Sequence, residues 1–192
     1  MEHTANTTPY KSSRYMLRAT HYMSAGFTFI ETVVAIAVLV VSVVAPLSLA
    51  SQGLRTARLA RDQVIANYLG QEVVEFVRYR RDTNAINNTV DWLKGLEDCM
   101  DGSSCAVDIP NDTVISCSTK GACSFLQFKE STGTYGYSGN DKSGWADTKF
   151  KRSVTITETT PDTEASITVT ITWDDVLVHR TYVLHEKLFN WQ

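Results

Sequence analysis

Residues 27 to 50 read FTFIETVVAIAVLVVSVVAPLSLA, and Glu31 is the only charged side chain among these 24 residues. At about 1.5 Å of rise per residue, a helix of this length extends roughly 36 Å, which exceeds the bilayer hydrocarbon core of about 30 Å. A secretory signal peptide has a shorter apolar region, of about 7 to 15 residues, before its cleavage site. The stretch therefore predicts a single membrane-spanning helix.

The charges that flank this stretch do not orient it. Basic residues stand on both sides of it, and they are Lys11, Arg14 and Arg18 before it and Arg55, Arg58 and Arg61 after it. Because the numbers are equal, the positive-inside rule gives no bias.

The residues Gly26-Phe27-Thr28-Phe29-Ile30-Glu31 open the apolar stretch. With the basic leader before them and the uninterrupted span after them, they resemble the processing site of type IV prepilins and type II secretion pseudopilins. The resemblance implies that a prepilin peptidase cleaves after Gly26 on the cytoplasmic face and methylates the new N-terminal residue, Phe27. It also implies that Phe27 and Glu31 act together when the chain assembles with other pilin subunits.

Physical chemistry supplies a use for Glu31 within that family. A carboxylate in a membrane span is costly and is a functional hypothesis by default. The α-amino group freed at Phe27 is cationic at neutral pH, so it can neutralise Glu31 of the same or a neighbouring subunit. The alternative is a Glu31 that lies at headgroup level without a specific partner.

The resemblance also implies where the protein works and with what. The chain would be a single-pass protein of the cytoplasmic (inner) membrane with an extracytoplasmic head, and later part of a cell-surface or periplasmic filament. Membrane lipid and an inner-membrane assembly platform would be partners, and no cofactor is implied. Two alternatives stay open: a type II secretion pseudopilin, and a single-span membrane-anchored binding or adhesion domain that does not polymerise.

After the span, the sequence stays helical and becomes amphipathic. Leu54, Ile65, Leu69, Val73 and Phe76 recur at helical spacing. No proline occurs between Pro46 and Pro110, which predicts one helix from Phe27 to about Arg81. Gly53 and Gly70 are its candidate weak points. A break is expected over residues 84–88, followed by one or two helical turns over residues 90–96.

The C-terminal third has the period-two pattern of strands. Phe150, Val154 and Ile156 alternate with polar residues, as do Ile167, Val169, Ile171 and Trp173, and a third run extends from Val176 to Leu188. A two-residue turn at Asp174-Asp175 would place Trp173 opposite Val176, Ile171 opposite Val178 and Ile167 opposite Tyr182. The terminal residues 188–191 are expected to dock as a last strand or cap.

These patterns predict an α+β fold of pilin-like architecture, in which a long N-terminal helix packs on a C-terminal antiparallel sheet. The expected organisation is a cleaved leader (1–26), a transmembrane and assembly helix (27–50), an amphipathic helix that continues into the head (51–82), and a globular head (83–192).

Four cysteines lie between residues 99 and 123 and nowhere else, which suits an oxidising compartment. Three pairings are possible. Because each closes a short loop around a glycine, we favour Cys99–Cys105 with Cys117–Cys123. A zinc site is the alternative, although the spacing lacks a two-residue Cys-Cys hook.

Other candidate sites are weaker. Residues 131–148 have the composition of an exposed loop, with calcium binding by Asn140, Asp141 and Asp147 as the alternative. His179 and His185 share one face of the last strand and are expected to be surface residues rather than ligands. The sequence contains no phosphate loop, nucleophile elbow or metal-binding helix motif, so we expect no enzyme and no metal centre. With 18 basic against 21 acidic residues, it indicates no nucleic-acid partner.

Overall fold

The computed structural model describes residues 26–117, 123–138, 143–175 and 178–190. One long helix, α1 (Phe29–Ile86), precedes a short 3-10 helix (Glu97–Cys99) and a seven-stranded antiparallel sheet. The chain divides into two compact units, Met1–Leu49 and Ala50–Gln192. The predicted α+β fold, with a helix packed on an antiparallel sheet, is confirmed.

In the first unit, the described chain is the apolar part of α1. Every residue from Gly26 to Leu49 is exposed. Pro46 lies inside the helix, which continues past it. The prediction of one unbroken helix is therefore confirmed, with its start two residues later and its end five residues later than expected.

In the second unit, α1 buries one face against the sheet. The buried residues begin at Asp62 and recur at helical spacing, and the apolar ones are Ala66, Leu69, Val73, Val74, Phe76 and Val77. The expectation that Leu54 belongs to this face is wrong, since its side chain is 65% exposed. Leu54 precedes the first buried position by two helical turns, so the sheet does not cover it.

Gly70 is a contact point rather than a weak point in the helix. A Cβ at this position would lie 3.4 Å from both Leu184 Cδ2 and Tyr182 Cε1 on the sheet. The missing side chain allows α1 to approach this strand closely. Gly53, by contrast, has nothing within 4 Å of an added Cβ, and the helix is unbroken there too.

Three long strands form one side of the sheet, and four short strands continue it on the other side. The strands are β1 (Cys105–Asp108), β2 (Thr113–Ser116), β3 (Phe125–Lys129), β4 (Thr134–Gly136), β5 (Trp145–Thr160), β6 (Glu164–Asp175) and β7 (Val178–Phe189). The order β2-β1-β5-β3-β4 continues from β5 to β6 and from β6 to β7. The sheet is antiparallel throughout.

The three long strands were predicted, but the expected loop over residues 131–148 is only partly right. Thr134–Gly136 forms β4, and β5 already begins at Trp145. A strand of three residues is too short to show a period-two pattern. After α1, the chain forms turns over residues 92–95 before the 3-10 helix.

The expected pairing of β6 with β7 is wrong by four residues. Ile171 pairs with Tyr182 rather than Val178, and Ile167 pairs with Glu186 rather than Tyr182. The strands remain paired as far as Asp175 and Val178, so the chain does not reverse at Asp174-Asp175. Because four is an even number, the shift keeps every residue on its expected face. Hydrophobic alternation could not distinguish the two registers.

One core joins the helix to the sheet. Val154, Ile156, Ile167, Val169 and Ile171 have fully buried side chains and pack with the apolar face of α1. Leu188 is buried at the end of β7, and Asn190 donates its backbone N–H to Thr163 O at 2.9 Å, as expected of a docked C-terminal segment. Trp191 lies outside the described residues.

Candidate functional site

The start of α1 is defined by a capping interaction that the sequence analysis did not use. Thr28 Oγ1 accepts a hydrogen bond from the backbone N–H of Glu31 at 3.3 Å, and Thr28 O accepts one from the N–H of Thr32 at 3.2 Å. A threonine followed three residues later by a glutamate is the sequence signature of a capping box. Glu31 therefore lies in the first helical turn, where a carboxylate also interacts favourably with the helix dipole.

The proposed processing residues directly precede this cap. Gly26 has nothing within 4 Å of an added Cβ, and the Phe27 side chain is 77% exposed. The carboxylate of Glu31 takes part in no ion pair with another described residue. Gly26, Phe27 and Glu31 are thus near one another because they are close in sequence. All three residues are exposed. Residues 1–25 of the expected leader lie outside the described residues.

The apolar part of α1 is exposed on all sides. Phe29 is 85% exposed, Ile30 66% and Leu49 70%. The helix is long and apolar enough to cross a membrane, with a mean hydropathy of 2.7 in its most apolar window. A helix with apolar side chains around its whole circumference is covered either by lipid or by other apolar helices. A helix with this surface can anchor a chain in a membrane or pack against the helices of other chains.

The two expected disulfides are present, Cys99–Cys105 and Cys117–Cys123. The first joins the end of the 3-10 helix to the start of β1, and both of its cysteines are fully buried. The second follows β2, where the N–H of Cys117 donates to Ser104 O at 3.0 Å. The zinc alternative is wrong because sulfur atoms in a disulfide do not serve as thiolate ligands. Both disulfides act as structural cross-links of the head.

A buried arginine is the functional-site candidate that the sequence analysis missed. Arg152 on β5 is fully buried, and its guanidinium lies 3.0 Å from Glu72 Oε2 on α1. It also donates to Leu69 O at 3.2 Å and to Val107 O at 2.6 Å. The sequence did contain a signal. Position 152 lies two residues from both Phe150 and Val154, so strand alternation places Arg152 on the same face of β5 as those two residues. The group joins α1, β5 and β1.

Two more polar side chains lie near this arginine. Asp108 is buried and accepts a hydrogen bond from Asn111 Nδ2 at 2.8 Å. Burial raises the pKa of Tyr137, while the charge of Arg152 opposes that rise and the charge of Asp108 adds to it. The Tyr137 hydroxyl and one Asp108 oxygen have no hydrogen-bond partner among the described residues.

A groove of about 420 Å³ runs between α1 and β4. Its helix wall includes Ile65, Tyr68, Glu72 and Glu75, and its other wall includes Tyr135. Burial raises the pKa of Tyr135, the charge of Arg61 lowers it, and the charge of Glu72 raises it. The groove therefore combines an apolar lining with carboxylates on one rim and a guanidinium nearby.

His179 and His185 are surface residues, as expected. His179 Nδ1 lies 2.8 Å from Asp174 Oδ1, and its side chain is 64% exposed. His185 Nδ1 lies 3.1 Å from Thr168 Oγ1. Both are on the exposed face of β7, opposite the core. Neither belongs to a group of three potential metal ligands within the described part of the chain.

The calcium alternative falls mainly on residues outside the described ranges, since Asn140 and Asp141 are not described. Asp147, which is described, accepts a hydrogen bond from Gln127 Nε2 at 2.7 Å and pairs with that residue between β3 and β5. Its position is that of a cross-strand partner on the sheet.

Comparison of the chain with family models, with curated proteins and with solved structures finds no match.

Proposed function

We propose that this protein is a structural subunit, a pilin or minor pilin, of a type IV pilus or a related filament. In this proposal a prepilin peptidase cleaves after Gly26 and methylates Phe27. The subunit then leaves the inner membrane through an assembly platform and polymerises through its N-terminal helix. Lipid surrounds the helix before assembly, and other subunits surround it afterwards.

The observation that carries the proposal is the order of features at the start of α1. The residues GFTFIE cover the start of a helix that is long and apolar enough to span a membrane and is exposed over its whole apolar length. The same helix continues into a disulfide-linked head, in which it covers an antiparallel sheet. A plain membrane anchor requires the apolar helix but has no need for Glu31 inside it.

The pairing of charges explains why Glu31 would be retained. Cleavage frees a cationic amino group on Phe27, four residues before the carboxylate of Glu31. A charge buried among apolar helices is strongly destabilising unless an opposite charge neutralises it. The amino group of Phe27 on a neighbouring subunit supplies that opposite charge, so the span needs no second charged side chain. The anchored, non-polymerising domain is the alternative, and it needs neither the cleavage nor the pairing.

Mass spectrometry of the full chain purified from its host membrane tests the proposal. We expect a chain that begins at Phe27 and is heavier by one methyl group than the unmodified sequence. Replacing Gly26 with a bulky residue, as in Gly26→Val, should leave the leader attached, whereas Gly53→Val should not affect processing. An unmethylated wild-type chain that retains its leader would overturn the proposal in favour of the anchored domain.

A further inference from the structure

Eight residues of α1 form a regular row along one side of the helix in the second unit. Successive members are separated alternately by four and three positions, and we call them the 54–79 stripe: Leu54, Arg58, Arg61, Ile65, Tyr68, Glu72, Glu75 and Tyr79. At 3.6 residues per turn, this spacing keeps all eight within about 100° of the helix circumference. Spacing of four and three is typical of a helix-packing seam where the positions are apolar. Here Leu54, Ile65, Tyr68 and Tyr79 are its apolar and aromatic members.

The stripe is accessible. Leu54 is 65% exposed, Tyr68 68% and Tyr79 57%. Arg58, Arg61 and Glu75 are also exposed, while Ile65 and Glu72 are half-buried at the rim of the groove. Large apolar side chains exposed at regular intervals on a helix indicate a surface that packs against a partner.

The two halves of the stripe have the same spacing and opposite charge. The first half has the order apolar, basic, basic, apolar (Leu54, Arg58, Arg61, Ile65), and the second has the order aromatic, acidic, acidic, aromatic (Tyr68, Glu72, Glu75, Tyr79). Each residue of the first half lies 14 positions before its counterpart. Since 14 residues make nearly four turns, the counterparts are on the same side of the helix, about 21 Å apart.

Within one copy, the basic half of the stripe has no counter-charge among the described residues, whereas both carboxylates of the acidic half are ion-paired. Arg58 and Arg61 form no ion pair with any other described residue. In the acidic half, Glu72 binds Arg152 at 3.0 Å, and Arg78 lies between Glu75 at 2.6 Å and Glu186 at 2.7 Å. The side chain of Glu75 is 68% exposed and shares Arg78 with Glu186, so it can accept a further guanidinium. A basic surface of the same spacing therefore complements this half of the stripe.

We propose that the stripe is a self-association surface, on which the basic half of one copy packs against the acidic half of a second copy. The helices are parallel and staggered by 14 residues. This stagger brings Arg58 to Glu72 and Arg61 to Glu75, while Leu54 meets Tyr68 and Ile65 meets Tyr79. The inference rests on the proposed filament function and specifies which surfaces neighbouring subunits share.

The parallel arrangement gives an assembly that does not close. Each copy uses its first half on one neighbour and its second half on another, so the contact is heterologous and repeats along an open chain. Because the spacing is symmetric, an antiparallel pair would also match opposite charges, with Leu54 against Tyr79. Chains that enter one filament from the same membrane share one orientation, which favours parallel helices, and the stagger arises as successive copies leave the bilayer.

Cysteine cross-linking of the full chain in intact host cells, which hold assembled copies as well as those in the membrane, tests the stagger. We expect Leu54→Cys/Tyr68→Cys to give a ladder of disulfide-linked dimers, trimers and larger species, and each single variant to give none beyond background. The matched control Leu54→Cys/Tyr79→Cys should stay monomeric. A closed dimer from the control, or no ladder from the first pair, would overturn the inference. Peptide mapping of Cys99–Cys105 confirms in each variant that the head has folded.

Charge variants in the Leu54→Cys/Tyr68→Cys background test the electrostatic pairing. Arg61→Glu and Glu75→Arg should each reduce the ladder about tenfold, and the double variant should restore it because the charges match again. Arg55→Glu makes the same charge change outside the stripe and should leave the ladder unchanged. A double variant no better than either single one would contradict the pairing.

The outcome also separates this inference from the proposed function. Chains that begin at Phe27 and form filaments but give no ladder would refute the stagger alone. A ladder from chains that keep their leader would leave the self-association standing and refute the pilin-like processing.

Discussion

The guanidinium of Arg152 on β5 lies 3.0 Å from the carboxylate of Glu72 on α1, and Arg152 is fully buried. The same guanidinium donates to Val107 O on β1 at 2.6 Å. Three elements that are distant in sequence therefore meet at one charged group. Removing one partner of such a pair leaves a buried charge without compensation, which costs far more than losing a surface ion pair.

The first prediction concerns this ion pair. Glu72→Ala should lower the free energy of unfolding by about 1–3 kcal/mol, because the buried guanidinium loses its counter-charge. In an Arg152→Met background, the same change should cost less than about 0.5 kcal/mol, since no charge is left unpaired. Urea unfolding of the detergent-solubilised full chain, followed by tryptophan fluorescence, measures both. Glu75→Ala, at a side chain that is 68% exposed, is the control. Equal costs in the two backgrounds would show that Arg152 and Glu72 are not coupled.

The second prediction concerns the disulfides. Each closes a loop with a sequence separation of 6, for which chain entropy gives about 2 kcal/mol of stabilisation. Cys99→Ala/Cys105→Ala should cost more than Cys117→Ala/Cys123→Ala, because the first pair is fully buried and its loss also leaves a cavity. Urea unfolding measures the difference, and non-reducing peptide mapping of the wild type should recover both pairs. Four free thiols in the exported protein would refute the pairing.

The third prediction uses the close approach at Gly70. Gly70→Ala should be neutral or stabilise the head by up to about 1 kcal/mol, since alanine favours helix and its Cβ fits at 3.4 Å from Leu184 and Tyr182. Gly70→Leu should instead destabilise it by about 1–3 kcal/mol, because the longer side chain collides with β7. Gly53→Leu has open space and is the matched control. Thermal unfolding that ranks Gly70→Leu with Gly53→Leu would contradict this packing.

The fourth prediction concerns pH. Burial raises the pKa of Tyr137 above its ordinary value of 10.0. As the pH rises, the Tyr137 hydroxyl therefore loses its proton in the unfolded chain before it does so in the folded chain. The contribution of Tyr137 to the free energy of unfolding is present in full below about pH 10 and is lost as the pH rises through the pKa of the folded chain. Tyr137→Phe should lose less stability than wild type between about pH 9 and 11. At neutral pH it should be no less stable, because the hydroxyl has no hydrogen-bond partner among the described residues. Tyr79→Phe, at an exposed position, is the control. An unchanged pH profile in Tyr137→Phe would show that another group dominates the loss.

The fifth prediction separates assembly from helix capping at Glu31. Glu31→Ala should accumulate in the membrane, correctly cleaved, and be absent or scarce in sheared filaments, because the Phe27 ammonium of a neighbour would be buried unpaired. Glu31→Gln should fail equally, since it keeps a polar residue in the first helical turn but lacks the charge. Immunoblots of membrane and filament fractions measure both. Filaments built normally from Glu31→Gln would show that assembly does not need the charge of Glu31.

Features that depend on neighbouring residues could be predicted from the sequence. The length of α1 follows from an apolar stretch and a helical periodicity with no helix-ending signal before residue 84. The disulfides follow from cysteines close enough to form small loops. The alternation in β5, β6 and β7 assigns each residue to a face, because the period of a strand does not depend on its partner.

Only the tertiary structure decided which of these surfaces meet. Alternation could not select the β6–β7 register, since a shift of four residues preserves every face, and the observed pairing of Ile171 with Tyr182 required the packed strands. It also could not show that the sheet begins to cover α1 at Asp62, which leaves Leu54 exposed. The burial of Arg152 depends on Glu72 and Val107, which lie 80 and 45 positions away. Helical and strand periods arise from local backbone geometry, whereas register, coverage and charge pairing are set by contacts between segments far apart in the chain.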